Sequence, residues 1–243
     1  MPERLGDSEL SLAKGARSAL ATLACPYLPD LTANWRILVA ETPVAGPTLD
    51  RLFAAGYRRQ GSWFYRPECR GCSACIALRV PAAEFRPSRS QRRCLARTSE
   101  LSCELRPASA WSAGHSALLA RYLEHRHQLD SQPDETARGL LAEGAASAML
   151  ELRRGSALLA AMVVDWGEVS ASAVYAFYEP EASRLGLGTA SILNLIRLAR
   201  SLGREWVYLG FWLKDHPKMH YKIRFRPHER RIADMWQRFE EAS

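Results

Sequence analysis

One unit constrains the fold of this chain more than any other. It consists of an apolar strand pattern over Ser172 to Tyr178 (SAVYAFY), the turn Arg184-Leu185-Gly186-Leu187-Gly188, a helical pattern over Thr189 to Leu202, and a second strand pattern over Glu205 to Leu213 (EWVYLGFWL). Ile192, Leu195, Ile196 and Ala199 recur at helical spacing, so this helix must bury one face. A glycine-rich turn at a helix start presents backbone N–H groups where the helix dipole also favours an anion. A tight turn with no ligand would explain the two glycines equally well.

Around this unit the second half reads α–α–β–β–α–β. A connector rich in proline, serine and alanine covers 107–114, and His115 to Leu129 places Leu118, Leu119, Tyr122 and Leu123 on one helical face. A further helix follows Pro133 over Glu135 to Glu143, Ala157 to Asp165 is a strand, and a final helix is expected over Ile232 to Glu241. The first twenty residues or so carry no firm pattern. Cys25 to Asp30 is a proline-punctuated turn, and Asn34 to Glu41, Tyr57 to Tyr65 and Ile76 to Val80 read as strands. Leu49 to Ala55 is a short helix with Thr48 as N-cap and Gly56 as its stop. The fold class is α/β (α+β), divided into residues 1–106 and 107–243.

Composition narrows the partners. With 47% hydrophobic and 24% charged residues the chain is an ordinary globular protein. Its 33 Lys+Arg against 26 Asp+Glu leave +7, an excess that suits an anionic partner such as nucleic acid. The longest apolar run, Ala157 to Val164, is far short of the ~20 residues that cross a bilayer, and MPERLGDSEL has no apolar leader core. A cytoplasmic location without a membrane partner is therefore expected. There, six cysteines point to metal binding or burial rather than to disulfides.

Three clusters are candidates for chemistry. Cys69-x2-Cys72-x2-Cys75, with Cys25 as fourth ligand, could hold zinc or an iron–sulfur cluster; three small residues in a tight loop is the alternative. Cys94 and Cys103 read as buried bystanders. Arg79, Arg86, Arg89, Arg92, Arg93 and Arg97 crowd one segment, where arginine forks suit phosphates or carboxylates unless they form only a solvated face. Ser88 and Ser90 add hydrogen-bonding groups there. Finally, KDHPKMHYKIRFRPHERR (Lys214 to Arg231) interleaves Lys218, Lys222, Arg224, Arg226, Arg230 and Arg231 with Tyr221 and Phe225. That pattern can hold a nucleic-acid backbone and stack a base, or else form an exposed strand with one aromatic face in the core. The chain contains no HExxH motif, nucleophile elbow or Walker loop.

Several segments resemble, in order, the aminoacyl-tRNA–protein transferases of the N-degron pathway, and most closely their bacterial leucyl-tRNA branch. They are Cys25-Pro-Tyr-Leu-Pro, GYRRQGSWFYRPECRGCSACIALRV, FRPSRSQRR, VYAFYEP, LGTASILNLIRLAR, VYLGFWL and PKMHYKIRFRPHE, covering most of residues 25–230. The strand–turn–helix unit is also similar to GNAT-type acyltransferases, whose turn holds the pyrophosphate of coenzyme A. The resemblance implies two fused GNAT-like domains, the C-terminal one more complete. It further implies transfer of leucine from leucyl-tRNA to the α-amino group of proteins beginning with Asp or Glu. Arginyl transfer to the same acceptors, a metal-containing tRNA-binding module and an acetyl-coenzyme A-dependent N-acetyltransferase stay open.

The same resemblance places Tyr208, Lys218, Tyr221 and Lys222 at the catalytic, acyl-transfer end. Tyr65, Arg66, Arg79, Ser88, Arg89, Ser90, Gln91 and Arg92 would bind the acceptor, with Arg79, Arg89 and Arg92 reading its acidic side chain. Gly186, Gly188, Thr189, Arg224 and Arg226 would contact the tRNA. Cys25, Cys69, Cys72 and Cys75 would be the metal ligands, although Leu28 stands where eukaryotic arginyl relatives have a second cysteine. The aminoacyl ester is already activated, so the transfer itself requires no cofactor.

Overall fold

A computed structural model describes residues 16–40, 44–127, 133–141 and 147–240. Two sheets carry the architecture. The smaller is antiparallel throughout, in the order β1 (Arg17–Ala24), β2 (Thr32–Val39), β4 (Trp63–Pro67), β3 (Arg58–Gln60). Helix α1 (Gly46–Ala54) covers it, burying Leu49, Leu52 and Phe53 against Leu38, Tyr57 and Phe64. The larger sheet has eight strands, in the order β12 (Met235–Phe239), β11 (His228–Ile232), β5 (Ile76–Pro81), β10 (Trp206–Trp212), β9 (Ser170–Tyr178), β8 (Ala157–Trp166), β7 (Ser147–Arg154), β6 (Ser102–Pro107). Its β9–β10 pair is parallel and its other pairs are antiparallel.

Alternation along β8 sorts the helices onto two faces. Ala160, Met162 and Val164 point toward α5 (Leu187–Ser201), which buries Ile192, Leu195, Ile196 and Ala199 as its spacing predicts. Ala161 points the other way, toward Leu118, Leu119 and Leu123 of α3 (Ala113–His127) and Ala137 of α4 (Pro133–Leu140). A buried pair closes this second face: His115 Nε2 lies 2.9 Å from Glu151 Oε1, and Arg153 Nε donates to the other oxygen of Glu151 at 2.6 Å.

Several expectations are corrected. The final helix over 232–241 is instead the β11–β12 hairpin. Ala233 and Asp234 both have positive φ, the signature of a tight two-residue turn, and the Trp236–Phe239 stretch pairs as a strand. The strand expected over 57–65 is two strands folded at Gly61 (φ +59°). Of the first twenty residues, expected to carry no firm pattern, 1–15 lie outside the described residues, and β1 begins at Arg17. The strands β6 and β7 and helix α2 (Arg89–Arg97) were not legible as such. Helix α1 begins at Gly46 rather than Leu49, with Ala45 and not Thr48 at the N-cap. Cys103 is exposed on the edge strand β6, while Cys94 is buried as expected. The strands β5 and β6, from before the expected 106/107 division or across it, lie in the same sheet as β7 to β12. No helix among the described residues is long and apolar enough to cross a membrane.

The two sheets are joined by polar contacts in buried or sheltered positions. Arg59 on β3 makes a two-pronged ion pair with Asp165 on β8, at 2.7 and 2.9 Å, and also donates to Gly61 O, Leu140 O and Ser147 Oγ. Both side chains are almost fully buried. Asp50 on α1 accepts from the Glu168 and Val169 backbone N–H groups and from Ser170 Oγ, capping the β8–β9 turn. Removing one member of a buried pair strands the other's charge at a cost of about 3–5 kcal/mol. Asp165→Ala should lower unfolding free energy by that amount in urea denaturation, and Arg59→Met with Asp165→Leu should recover much of it.

Candidate active site

The parallel strands β9 and β10 part company after three residue pairs, Trp206–Tyr208 beside Ser170–Ser172. Two bulges turn them aside. Val174 has no partner on β8, and Leu209 has none on β5. A cavity of about 420 Å³ opens in the fork. Where a ladder can no longer continue, carbonyls need other donors. Arg58 Nη2 donates to Val174 O at 3.0 Å, and Lys222 Nζ donates to Phe211 O at 2.5 Å. Gly210 makes room for Arg58: it has φ +76°, and a Cβ there would lie 2.7 Å from the Arg58 Cζ. Burial, and then the nearby Arg58 charge, holds the Lys222 ammonium well below the ordinary lysine range.

The cavity wall is apolar in its depth, with Met162, Ala173, Ala176, Leu187, Ile192 and Leu209. Tyr122, Tyr175, Tyr178 and Tyr221 supply aromatic edges, and Arg58, Lys218 and Lys222 supply cations. Among the described residues, no Asp or Glu lines it. The Gly-rich turn forms one side. Gly186 is the left-handed N-cap of α5 at φ +76°, and Gly188 packs so closely on Tyr178 that a Cβ would sit 3.1 Å from its ring. Thr189 lines the same wall.

The structure therefore brings Lys218, Tyr221, Lys222, Gly186, Gly188 and Thr189 together around one cavity. Tyr208 is elsewhere. It faces α1, packs on Phe53 and Trp236, and accepts from Arg79 Nη1 at 3.2 Å; burial pushes its phenol upward against the pull of Arg79. Arg224 is exposed beyond the cavity, and its carbonyl accepts from Gln91 Nε2. Arg226 donates to Ile223 O. The residues missed in the sequence are Arg58, whose signal was a charge set within an aromatic strand, and the tyrosines of β9 and α3.

The expected acceptor residues separate into three settings. Tyr65 is a core ring stacked 4.6 Å from Trp35. Arg66 pairs with Glu68 at 2.5 Å and caps Ala55 O; burial of Glu68 opposes its ionisation, but Arg66 and Arg36 hold its carboxyl below the usual range. Arg79 lies between Trp206 and Trp236, 3.6 and 4.2 Å from their ring centres, with Glu229 at 2.7 Å. Its charge is already met. Ser88 and Gln91 form a reciprocal capping box at the start of α2, with Ser90 Oγ 3.0 Å from Ser88 Oγ. Arg89, Arg92 and Arg93 remain on the exposed face of α2. Cys94, on the opposite face, donates to Gly186 O, which brings this basic helix beside the Gly-rich turn.

Cys25, Cys69, Cys72 and Cys75 converge where the two hairpins meet. Burial first, and then the other three thiols, pushes the Cys75 thiol up to about 12. Backbone N–H groups of Leu28 and Asn34 donate to the Cys25 and Cys69 sulfurs at 3.4 and 3.3 Å. The donor set suits a thiophilic ion by its chemistry. Among the described residues, however, no three such side chains are placed as a ligand set, and no step below is routed through a metal.

Two measurements check this geometry. Gly203 has φ +69° in open space, so Gly203→Ala should cost about 1–2 kcal/mol in denaturant unfolding. Gly210→Ala should cost clearly more, because its Cβ also displaces Arg58. His228, beside Phe239 and Arg230, is pushed down to about 4 by burial and then by Arg230. A base held neutral in the fold stabilises it above its unfolded pKa of about 6.5, and that stability is lost as pH falls toward 4. Urea midpoints measured from pH 7 to pH 4 should drop for the parent protein, and drop less for His228→Gln.

Comparison with known proteins fits this construction. Two family models cover the chain: arginine-tRNA-protein transferase, N terminus, over residues 23–93, and arginine-tRNA-protein transferase, C terminus, over residues 114–232. Relatives named aspartate/glutamate leucyltransferase include that of Stenotrophomonas maltophilia (strain R551-3), 38% identical across 89% of this chain and 90% of the relative. That of Halorhodospira halophila (strain DSM 244 / SL1) is 41% identical across 84% and 89%. Two solved structures share the fold alone. One is the C-terminal domain of a putative lysylphosphatidylglycerol synthetase from Agrobacterium fabrum (14% identity, TM-score 0.52, 81% of this chain and 65% of that chain). The other is L-PGS from Bacillus licheniformis (13% identity, TM-score 0.50, 95% and 84%). With both family models matched in order and near-full-length relatives at this identity, the chain belongs to the arginine-tRNA-protein transferase family and is an aminoacyltransferase.

Proposed function

We propose that this enzyme transfers leucine from leucyl-tRNA to the α-amino group of cytosolic proteins that begin with Asp or Glu. The observation that carries the choice of donor is the cavity. Its depth is apolar, and among the described residues its charged groups are all cations and no carboxylate lines it. A leucyl side chain gains from such a wall at about 25 cal/mol per Å² buried. An arginyl side chain would meet the like charges of Arg58, Lys218 and Lys222. The names of the relatives support the same donor and acceptors.

In the transfer, the acceptor's neutral amine attacks the ester carbonyl carbon. The C–N bond forms, the C–O bond to the tRNA ribose breaks, the amine loses a proton and the ribose oxygen gains one. An α-amine with a pKa of about 8 is partly neutral near pH 7, so the site's task is to orient the reactants and stabilise charge. Arg58 supplies a fixed positive charge at the fork, and Lys222 supplies an N–H. The oxyanion that develops there is stabilised by such preorganised donors. Gly188 and Thr189, in the first turn of α5 after the Gly186 cap whose own N–H is taken by Ser183 O, offer the terminal tRNA phosphates backbone N–H groups, and the exposed arginines of α2 alongside add charge. Metal analysis after anaerobic purification tests whether Cys25, Cys69, Cys72 and Cys75 take up zinc or an iron–sulfur cluster.

Purified protein incubated with labelled leucyl- or arginyl-tRNA and peptides starting Asp, Glu, Lys or Ala should favour leucine at least ten-fold and use only the acidic peptides. Equal use of arginine would overturn the donor assignment. Met162→Asp should erode the preference for leucine. Neutralising Arg89, Arg92 and Arg93 together should weaken tRNA binding and flatten its salt dependence.

A further inference from the structure

Two arginines of the larger sheet are clamped between aromatic rings. Arg79 lies between Trp206 and Trp236 and has Glu229 as its anion. Arg230 lies between Trp212 and Phe239, 4.3 and 4.1 Å from their ring centres, and is also buried. Its Nε donates to His228 Nε2 at 3.1 Å, and His228 Nδ1 faces Phe225 O at 3.2 Å, so the imidazole is spent on holding the guanidinium. Among the described residues no carboxylate pairs with Arg230, and the charge that acts on it is the like charge of Arg226. Beside it Trp212, whose ring the guanidinium covers, carries a buried indole N–H with no acceptor among the described residues.

A desolvated cation and a desolvated donor side by side form a receptor for an anion. The rings cover both faces of the guanidinium, which leaves its edge, and that edge matches two coplanar oxygens. An RNA backbone is better met by the exposed arginines of α2 than by a guanidinium this buried. The location also fits. Trp212 belongs to the same apolar cluster as the cavity residues Leu187, Ile192 and Leu209, and it follows Phe211, whose carbonyl holds Lys222.

We infer that Arg230, with the Trp212 indole N–H, receives the side-chain carboxylate of the acceptor protein's first residue. This rests on the acceptor class proposed above. It replaces Arg79, whose charge Glu229 meets, and separates acceptor selection from the tRNA-facing arginines of α2.

The test is the ratio of kcat/KM for peptides identical except for a first residue of Asp or Asn, which is insensitive to the folded fraction. Arg230→Gln should lower that ratio at least ten-fold while leucyl-tRNA binding stays within two-fold. Trp212→Phe, which keeps the ring and removes the N–H, should lower it by a few-fold. Should Arg230→Gln show no turnover, equilibrium binding of the same peptides, labelled with a fluorophore, to protein shown to be folded by circular dichroism supplies the ratio. An unchanged ratio in Arg230→Gln overturns the assignment, as does weakened leucyl-tRNA binding with the ratio intact, which would make Arg230 a phosphate contact. Failure of the parent enzyme to prefer Asp over Asn would instead defeat the acceptor class itself.

Discussion

The parting of β9 from β10 organises this molecule. Two parallel strands share a ladder for three residue pairs and then separate, and each bulge frees backbone that must be satisfied. Arg58 and Lys222 meet that demand from opposite ends of the sequence. Gly210 is a glycine because a guanidinium occupies the space of its side chain. The fork that costs ladder hydrogen bonds also opens the cavity, and the groups that repair it become its charged lining. One constraint thus links sheet geometry, a left-handed glycine and the electrostatics of the site.

The smaller sheet serves this arrangement from outside. It delivers Arg58 into the fork from β3 and, one residue later, Arg59 to Asp165. Adjacent strand residues point to opposite faces, so one short strand both supplies the site and locks the sheets together. The Asp50 cap on the β8–β9 turn reinforces the same junction. The N-terminal half thus helps to frame the cavity, and its β5 also sits beside β10 inside the larger sheet.

Charge is sorted by burial. The basic residues include arginines matched by carboxylates, as at Arg59, Arg66 and Arg79, the cavity cations Arg58 and Lys222, arginines exposed along α2, and Arg230, clamped and with no carboxylate partner among the described residues. In the linear sequence these are indistinguishable, since Arg79 and Arg89 lie ten residues apart in one basic run. Only the partner across the sheet, Glu229 for Arg79, distinguishes a structural cation from one available to a ligand.

By itself the sequence determined the α/β class and the strand–turn–helix unit with its buried helix face, whereas only the tertiary structure put Lys218, Tyr221 and Lys222 beside the Gly-rich turn. The class and the unit follow from local periodicity and from residue types whose chemistry is legible without neighbours. The final hairpin escaped it, because positive φ at Ala233 and Asp234 is imposed by tertiary pairing and not by their intrinsic preference. So did the capping role of Ser88 and Gln91, the seclusion of Tyr208 behind α1, and Arg58 as a wall of the cavity. Each depends on contacts between residues far apart in sequence, and the sheet, not the local pattern, decides which of them meet.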